Sequence, residues 1–371
     1  MGLLAKGLDV TKKVSEQTPA QRKRIKAWRK DYLARKRIEE SVPQPTIPTR
    51  HHVKGVSTLV DRQGNAVQQW IKTAQDHETR AEFIIRTVAD LPKVIQPRLG
   101  HIRPPDHCRD DLMSVYPLGD PHMGLLAWKD ESGEDFDLDE GSRLLTSGMR
   151  DLVWRGPRTK RALIAELGDF FHADGHGTTT KGTRVDVDIR TAKVWQVGIA
   201  AMTSLIDAAL MHHEEVDVDC RIGNHDGFSA IALAGSLAQH YHQEPRVRIP
   251  MPTSHRAYYV FGKNLIGITH GDRAKPEALG EIMAAERPED WGRTKHRVWY
   301  VGHVHHSSVK DFRGCSVETF RTLAARDGWH AGEGYVAARD MQRIVLHREH
   351  GVCERQVVNV QALRSGWSAS A

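Results

Sequence analysis

The sequence predicts an α/β protein with layered sheets, preceded by a basic N-terminal extension. Three observations lead there. From about residue 110 onward, short apolar runs alternate with helix-length stretches, the pattern of strands covered by helices. Each apolar run ends in a cluster of glycine with aspartate, asparagine or histidine. The chain of 371 residues, 39% hydrophobic and 27% charged, has a globular composition and no apolar run approaching the ~18 residues of a membrane span. At roughly 150 residues per domain, it has room for about two domains.

Residues 1–50 form a basic helical segment. Thr18 and Pro19 read as N-cap and first helical residue, Ile25, Trp28 and Tyr32 recur at helical spacing, and lysine and arginine fill most of the rest. Three prolines mark residues 41–49 as a linker. Residues 51–110 are expected to hold a hairpin over 53–73 around Arg62-Gln63-Gly64-Asn65, then a short helix over 77–91 and a proline-rich linker over 92–105. Residues 111–371 form the main domain. Its strand-like runs are 112–118, 162–167, 216–222, 265–269 and 298–301; helices are expected over 191–212, 229–241 and 276–285. The acidic stretch 130–140 and the Gly/Thr-rich stretch 175–183 read as surface loops. Residues 316–360 are expected to add strands after the last motif.

Charge and cysteine usage narrow the class. Net charge is +6 and the isoelectric point about 9.1, which favours a polyanionic partner. Cys108, Cys220, Cys315 and Cys353 lie far apart with no Cys-x-x-Cys, fitting a reducing compartment. With no apolar leader and no myristoylation signal, the expected location is cytoplasmic, away from membranes. Histidine is abundant, at 22 residues.

The strand-like runs end, in order, in Gly119-Asp120-Pro121-His122, Gly168-Asp169-Phe170-Phe171-His172, Gly223-Asn224-His225-Asp226, His270-Gly271-Asp272 and Gly302-His303-Val304-His305. Such side chains at carboxyl ends of successive strands converge on one sheet edge, where sites form in open α/β folds. Asp120 and His122, like His303 and His305, are two apart and would share one side of an extended segment. Imidazole, carboxylate and amide donors without thiolate suit Mn²⁺, Fe or Zn²⁺ rather than a structural zinc.

The ordered set Asp-x-His, Gly-Asp-x-x-His, Gly-Asn-His-Asp, His-Gly and Gly-His-x-His resembles the calcineurin-like metallophosphoesterase superfamily, over about half the chain from Leu112 to Ser308. The resemblance implies a four-layer α/β/β/α sandwich with two divalent ions, Mn²⁺ first, with Fe, Zn²⁺ or Mg²⁺ as alternatives. Carried over residue by residue, it implies one metal at Asp120, His122 and His305, and a second at Asn224, His270 and His303, with Asp169 between them. His225 would face the scissile phosphate as general acid while a metal-bridging hydroxide attacks. Asp226 would orient His225 or cap the following helix.

Gly168-Asp169-Phe170-Phe171-His172 is similar to the motif of SbcD-type DNA repair nucleases, and the wording around the motifs looks like phosphoesterases encoded by bacteriophages. His172 would then position a nucleic-acid phosphate; its plainer role is a hydrogen bond to Asp169 or to a loop. Lysines and arginines of the N-terminal helix would pair with phosphates, with Trp28 and Tyr32 stacking on bases, or the helix is simply a solvated arm. The expected function is hydrolysis of DNA phosphodiesters, with nucleic acid as substrate. The alternatives are a phosphomonoesterase such as a protein phosphatase, a nucleotide or dinucleoside polyphosphate hydrolase, and a non-catalytic nucleic-acid-binding protein. Oligomeric state is left open. Among the remaining candidates, His51-His52 and His212-His213 read as surface pairs, and His306 as pointing away from the metals. His176, His255 and Arg256 could line a groove. Asp174 reads as a supporting or turn residue, Arg273 as a partner of Asp272, and Cys220 as a buried small hydrophobe.

Overall fold

A computed structural model of the chain describes residues 102–366 except 176 and 335, segments 51–61 and 66–75, and several positions between 18 and 30. The chain divides into two compact units, Met1–Ile85 and Arg86–Ala371. In the first, Pro19 is helical immediately after Thr18, as are Lys23 and Ile25. The expected hairpin forms from strands β1 (His51–Val60) and β2 (Ala66–Gln75), antiparallel from His51 opposite Gln75 to Val60 opposite Ala66. Trp28, Tyr32, the linker 41–49, the turn residues 62–65 and the helix expected over 77–91 lie outside the described residues.

Among the described residues, the second unit contains two sheets. The larger has strands β3 (Arg109–Leu118), β4 (Thr159–Glu166), β5 (Glu215–Cys220), β6 (Val247–Arg248), β12 (Asp340–His347) and β13 (Gly351–Asn359), ordered β13-β12-β3-β4-β5-β6. Strands β3 to β6 run parallel, and β12 and β13 extend the sheet antiparallel. The smaller has β7 (Arg256–Phe261), β8 (Asn264–Thr269), β9 (His296–Val301), β10 (Ser308–Phe312) and β11 (Cys315–Thr319), ordered β10-β11-β9-β8-β7. The expected strands are all present, and the C-terminal region adds β11 to β13.

The sheets pack face to face. Met113, Val115, Leu163 and Ala165 of the larger sheet meet Tyr259, Ile266, Ile268 and Tyr300 of the smaller in one buried cluster. Parallel strands buried on both faces read as continuous apolar runs, which is why they were legible. Helices α2 (Leu138–Arg155), α3 (Thr191–Leu210) and α4 (Gly227–His240) cover the outer face of the larger sheet. Helix α5 (Leu279–Glu286) covers the smaller one, with Leu279 and Met283 against Leu265, Trp299 and Val317. The result is the expected four-layer α/β/β/α sandwich. Short helices α1 (Lys129–Ser132), α6 (Pro288–Arg293), α7 (Gly328–Gly332) and α8 (Val360–Ser365) lie in the connections.

The acidic stretch 130–140 corrects the sequence reading. It contains α1 and starts α2, rather than forming a loop. Asp137 is the N-cap, its carboxylate accepting from the Glu140 amide at 2.8 Å, and Asp139 and Glu140 sit in a first turn that favours negative charge. Leu145, Met149, Leu152 and Val153 then supply the buried stripe. Among the described residues, no helix is long and apolar enough to cross a membrane. All four cysteines are free, and Cys220 is fully buried.

Candidate metal centre

Every motif lies just beyond the carboxyl end of a strand: Asp120 and His122 after β3, Asp169 and His172 after β4, Asn224 and His225 after β5, His270 after β8, and His303 and His305 after β9. Two sheets therefore contribute, so the site spans one end of the sandwich rather than the edge of a single sheet. Donor atoms of Asp120, His122 and His305 lie within 4.8 Å of one another, and so do those of Asp169, His270 and His303. The first group has the same residues as the first implied set; the second has Asp169 where the implied set has Asn224, and a third group brings His122 together with His172 and His225. His122 Nε2 is 3.1 Å from His305 Nε2, and His270 Nε2 is 2.9 Å from Asn224 Oδ1 and 3.2 Å from Asp169 Oδ2. Convergent imidazole nitrogens and carboxylate oxygens fit a pair of divalent cations.

The local backbone differs from the extended segments expected. Asp120, His122, Asp169, His303 and His305 all have φ between 44° and 68°, the left-handed region. Aspartate and histidine tolerate it better than most residues, yet such a conformation costs of order 1–3 kcal/mol and clusters at functional sites. The paired ligands are thus aimed by turns, not by strand alternation.

Buried groups beneath the donors hold these turns. Asp226 carries neither role expected of it: its side chain does not cap α4, and His225 is oriented by another group. Instead its buried carboxylate accepts from the amides of Asp169 (3.2 Å), Phe171 (3.1 Å) and Gly223 (3.2 Å), tying the turn after β4 to the turn after β5. Glu166, which the sequence reading missed, accepts from Gly168 (2.7 Å) and Arg221 (3.0 Å). Nothing but its place two residues before Gly168 marked it. Burial, and then the neighbouring Asp226 charge, push Glu166 well above the usual carboxylate range; burial, and then Asp169, do the same to Asp226. Gly223 is required for space, because a Cβ there would collide with the Asp169 carboxylate. The His303 amide donates to both Asp120 oxygens at 2.9 Å, and the Thr322 hydroxyl donates to the Asp120 carbonyl at 2.6 Å.

The field around Asp120 and Asp169 favours positive charge on His270 and His305, whereas burial, and then neighbouring histidines, lower His122 and His303. Burial would lower His270, but Asp169 and then Asp120 outweigh it and raise its pKa to about 10. Burial would raise Asp169, but His270 holds it down at about 2. His305 is raised because Asp120 offsets its burial. Either protons or divalent cations satisfy this demand. His270 Nδ1 donates to the Leu167 carbonyl at 3.0 Å, which leaves Nε2 as the ligating nitrogen.

His172 and His225 stand beside the centre, their rings stacked with centroids 5.3 Å apart. His225 Nδ1 donates to the His172 carbonyl at 2.8 Å, and His172 Nδ1 lies 3.3 Å from His122 Nδ1. The plainer role for His172, a bond to Asp169 or a loop, is thus replaced by contact with a candidate ligand. Burial, and then His225, lower His172 to about 3, so it is neutral at ordinary pH. Its Nε2 is buried without a partner among the described residues.

The other candidates divide. His212 and His213 are buried, not a surface pair: His212 bonds the Gly156 carbonyl at 3.1 Å, and His213 bonds Tyr116 and Thr159 at 2.9 Å each. Asp174 accepts from the Phe228 and Ser229 amides (3.1 and 2.8 Å) and so caps α4 from a distance. Arg256 turns to Glu286 at 3.0 Å rather than toward the centre, and Arg273 lies 3.9 Å from Asp272. His306 is exposed and bonds the Val304 carbonyl at 2.9 Å. His176 and the side chains of His51 and His52 lie outside the described residues. Asp327 and His330, also unnoticed in the sequence, sit against the centre: the His330 ring stacks on His305 at 5.3 Å, and its Nδ1 is 2.6 Å from Asp327 Oδ1.

No protein-family model matches the sequence, and no curated protein does. Solved structures with a similar fold include a predicted phosphoesterase from Streptococcus pneumoniae, with 11% identity over 67% of this chain and 98% of that one and a TM-score of 0.26. YfcE, a phosphoesterase from E. coli, shows 13% identity over 67% of this chain and all of its own, with a TM-score of 0.32. Vps29 from Entamoeba histolytica, solved with zinc, shows 14% identity over 67% and 99%, with a TM-score of 0.29.

Proposed function

We propose that this protein is a calcineurin-like metallophosphoesterase that hydrolyses phosphodiester bonds of DNA with two divalent cations, Mn²⁺ foremost. The observation that carries the reading is the convergence of Asp120, His122 and His305 beside Asp169, Asn224, His270 and His303, five of them on left-handed backbone. Divalent cations held there supply Lewis acidity and lower the pKa of a water at neutral pH. The protein's own groups do the rest. With its Nδ1 proton committed to the His172 carbonyl, His225 keeps Nε2 for the substrate, and as the imidazolium, protonated on both nitrogens, it gives the Nε2 proton to the leaving oxygen and returns to the neutral Nδ1–H form. Neutral His172 offers Nε2 to a phosphate oxygen. Asp226 and Glu166 keep the turns that present these groups in register.

Three features support DNA as substrate: the +6 net charge, the concentration of lysine and arginine within residues 1–50, and His172 in the nuclease-like motif. The deciding assay sets bis-p-nitrophenyl phosphate and labelled single- and double-stranded DNA against p-nitrophenyl phosphate and a phosphopeptide. It uses the Mn²⁺-loaded protein, with Asp120→Ala as blank. Cleavage of the diester and of DNA is expected. Hydrolysis of monoesters alone would move the protein to the phosphatase reading.

A further inference from the structure

A cavity of about 440 Å³ opens directly beside the metal centre and shares His305 with it. Small-molecule sites typically occupy about 300–1,000 Å³, so this one has room for a single nucleotide-sized group. Its walls come from the chain around Gly133, Ala325 and Ala337. Ala324, Ala325, Ala337 and Ala338 line it, and their short side chains leave the volume open. The guanidinium groups of Arg326, Arg339 and Arg364 and the carboxylate of Glu134 line it, and Glu140, outside the lining, also pairs with Arg364.

The cationic lining is fixed in place. Glu134 binds Arg339 and, at 2.8 Å, Arg364, which also reaches Glu140 at 2.7 Å. Arg339 Nε donates to the Leu323 carbonyl at 3.0 Å, and Arg326 Nε to the Ser132 carbonyl at 2.6 Å. Held this way, the guanidinium groups lose little freedom when an anion arrives. His330, positioned by Asp327 and stacked on His305, joins the cavity to the centre.

We infer that this cavity is the subsite for a nucleotide unit attached to the scissile phosphate, its phosphate attracted by the arginine lining and its apolar part resting on the alanines. For its reaction the inference rests on the proposed phosphodiester hydrolysis; binding can be tested apart from it. Calorimetric titration of the full chain with deoxyadenosine monophosphate, in EDTA, measures the cavity without any cation. Arg326→Gln removes one guanidinium, and Ala337→Trp fills the volume from an exposed wall position, where a larger side chain does not disturb the core. Each is expected to weaken binding about tenfold or more. Both variants should retain the wild-type Mn²⁺ stoichiometry, which shows that the centre is intact. Unchanged affinity in Ala337→Trp, no binding by the wild type, or inorganic phosphate binding as tightly as the nucleotide would each overturn the inference. Asp120→Ala separates the two readings: it abolishes hydrolysis while nucleotide binding in EDTA persists. If wild-type protein hydrolyses no diester yet binds the nucleotide in this pattern, the functional reading fails and the subsite stands.

Discussion

His225 illustrates how much depends on a single hydrogen bond. Its Nδ1 can only donate to the His172 carbonyl, so a proton for a leaving group must come from Nε2 of the imidazolium form. His225→Ala should therefore lower turnover about 10²–10⁴-fold while bound Mn²⁺, measured by elemental analysis, stays at the wild-type level. Asp120→Ala should lose metal as well as turnover, because its carboxylate belongs to a donor group and anchors the His303 amide. If His225→Ala also lost its metal, the acid role would be wrong. The candidate donors could be singled out because few residue types can hold a cation, and their order along the chain matched the strand ends. Their left-handed backbone was not legible, since nothing in Asp-x-His separates an extended pair from two turns. His212-His213 misled for the opposite reason. Adjacent polar residues look like surface, and their partners Gly156, Thr159 and Tyr116 lie on other elements that only the fold brings near.

Among the elements, α2 shows where local composition hides structure. Acidic residues at its start resemble a loop, yet they suit a helix N-terminus, and the apolar stripe that would reveal it begins only afterwards. Its other end depends on β12. Arg343 is fully buried, and its guanidinium donates to the carbonyls of Leu152 (3.2 Å) and Pro157 and to the Ser114 hydroxyl (2.7 Å). A cation at a helix C-terminus also meets the negative end of the macrodipole. Arg343→Met would leave those carbonyls unsatisfied, and a loss of about 3 kcal/mol is expected in urea unfolding. A variant as stable as wild type would show that water replaces the guanidinium. His213 lies in the same buried joint. Burial, and then the Arg343 charge, lower its pKa to about 3, so the folded protein keeps it neutral while the unfolded chain protonates it near 6.5. The folded state therefore binds fewer protons between those values. The contribution is fully present above pH 6.5 and is lost as pH falls toward 3, by up to about 1.4 kcal/mol per pH unit. His213→Gln should flatten this limb of the stability–pH profile, and an unchanged slope would assign it to other groups.

For the whole molecule, the decisive feature is that the centre draws on both sheets. Asp120, His122, Asp169 and Asn224 follow strands of the six-stranded sheet, whereas His270, His303 and His305 follow strands of the five-stranded one. The alternation of runs and helices made the layers legible, but not the assignment of strands to sheets, because β8 and β9 read in sequence like any other buried strand. Cations bound across this junction would join the two sheets at their carboxyl ends, and they would bind the folded state alone. Stabilisation by a ligand specific for the native state is RT ln(1 + [L]/Kd), about 2.7 kcal/mol at a hundredfold excess over Kd. For a unit of this size that corresponds to a rise in Tm of roughly 4–5 °C. EDTA-treated protein titrated with Mn²⁺ in a thermal melt should show this rise. Asp169→Asn should show much less of it, since Asp169 contributes to one donor group and lies 3.2 Å from His270. An equal rise in that variant would place the stabilising ions elsewhere on the protein and remove the physical basis for a metal centre spanning the sandwich.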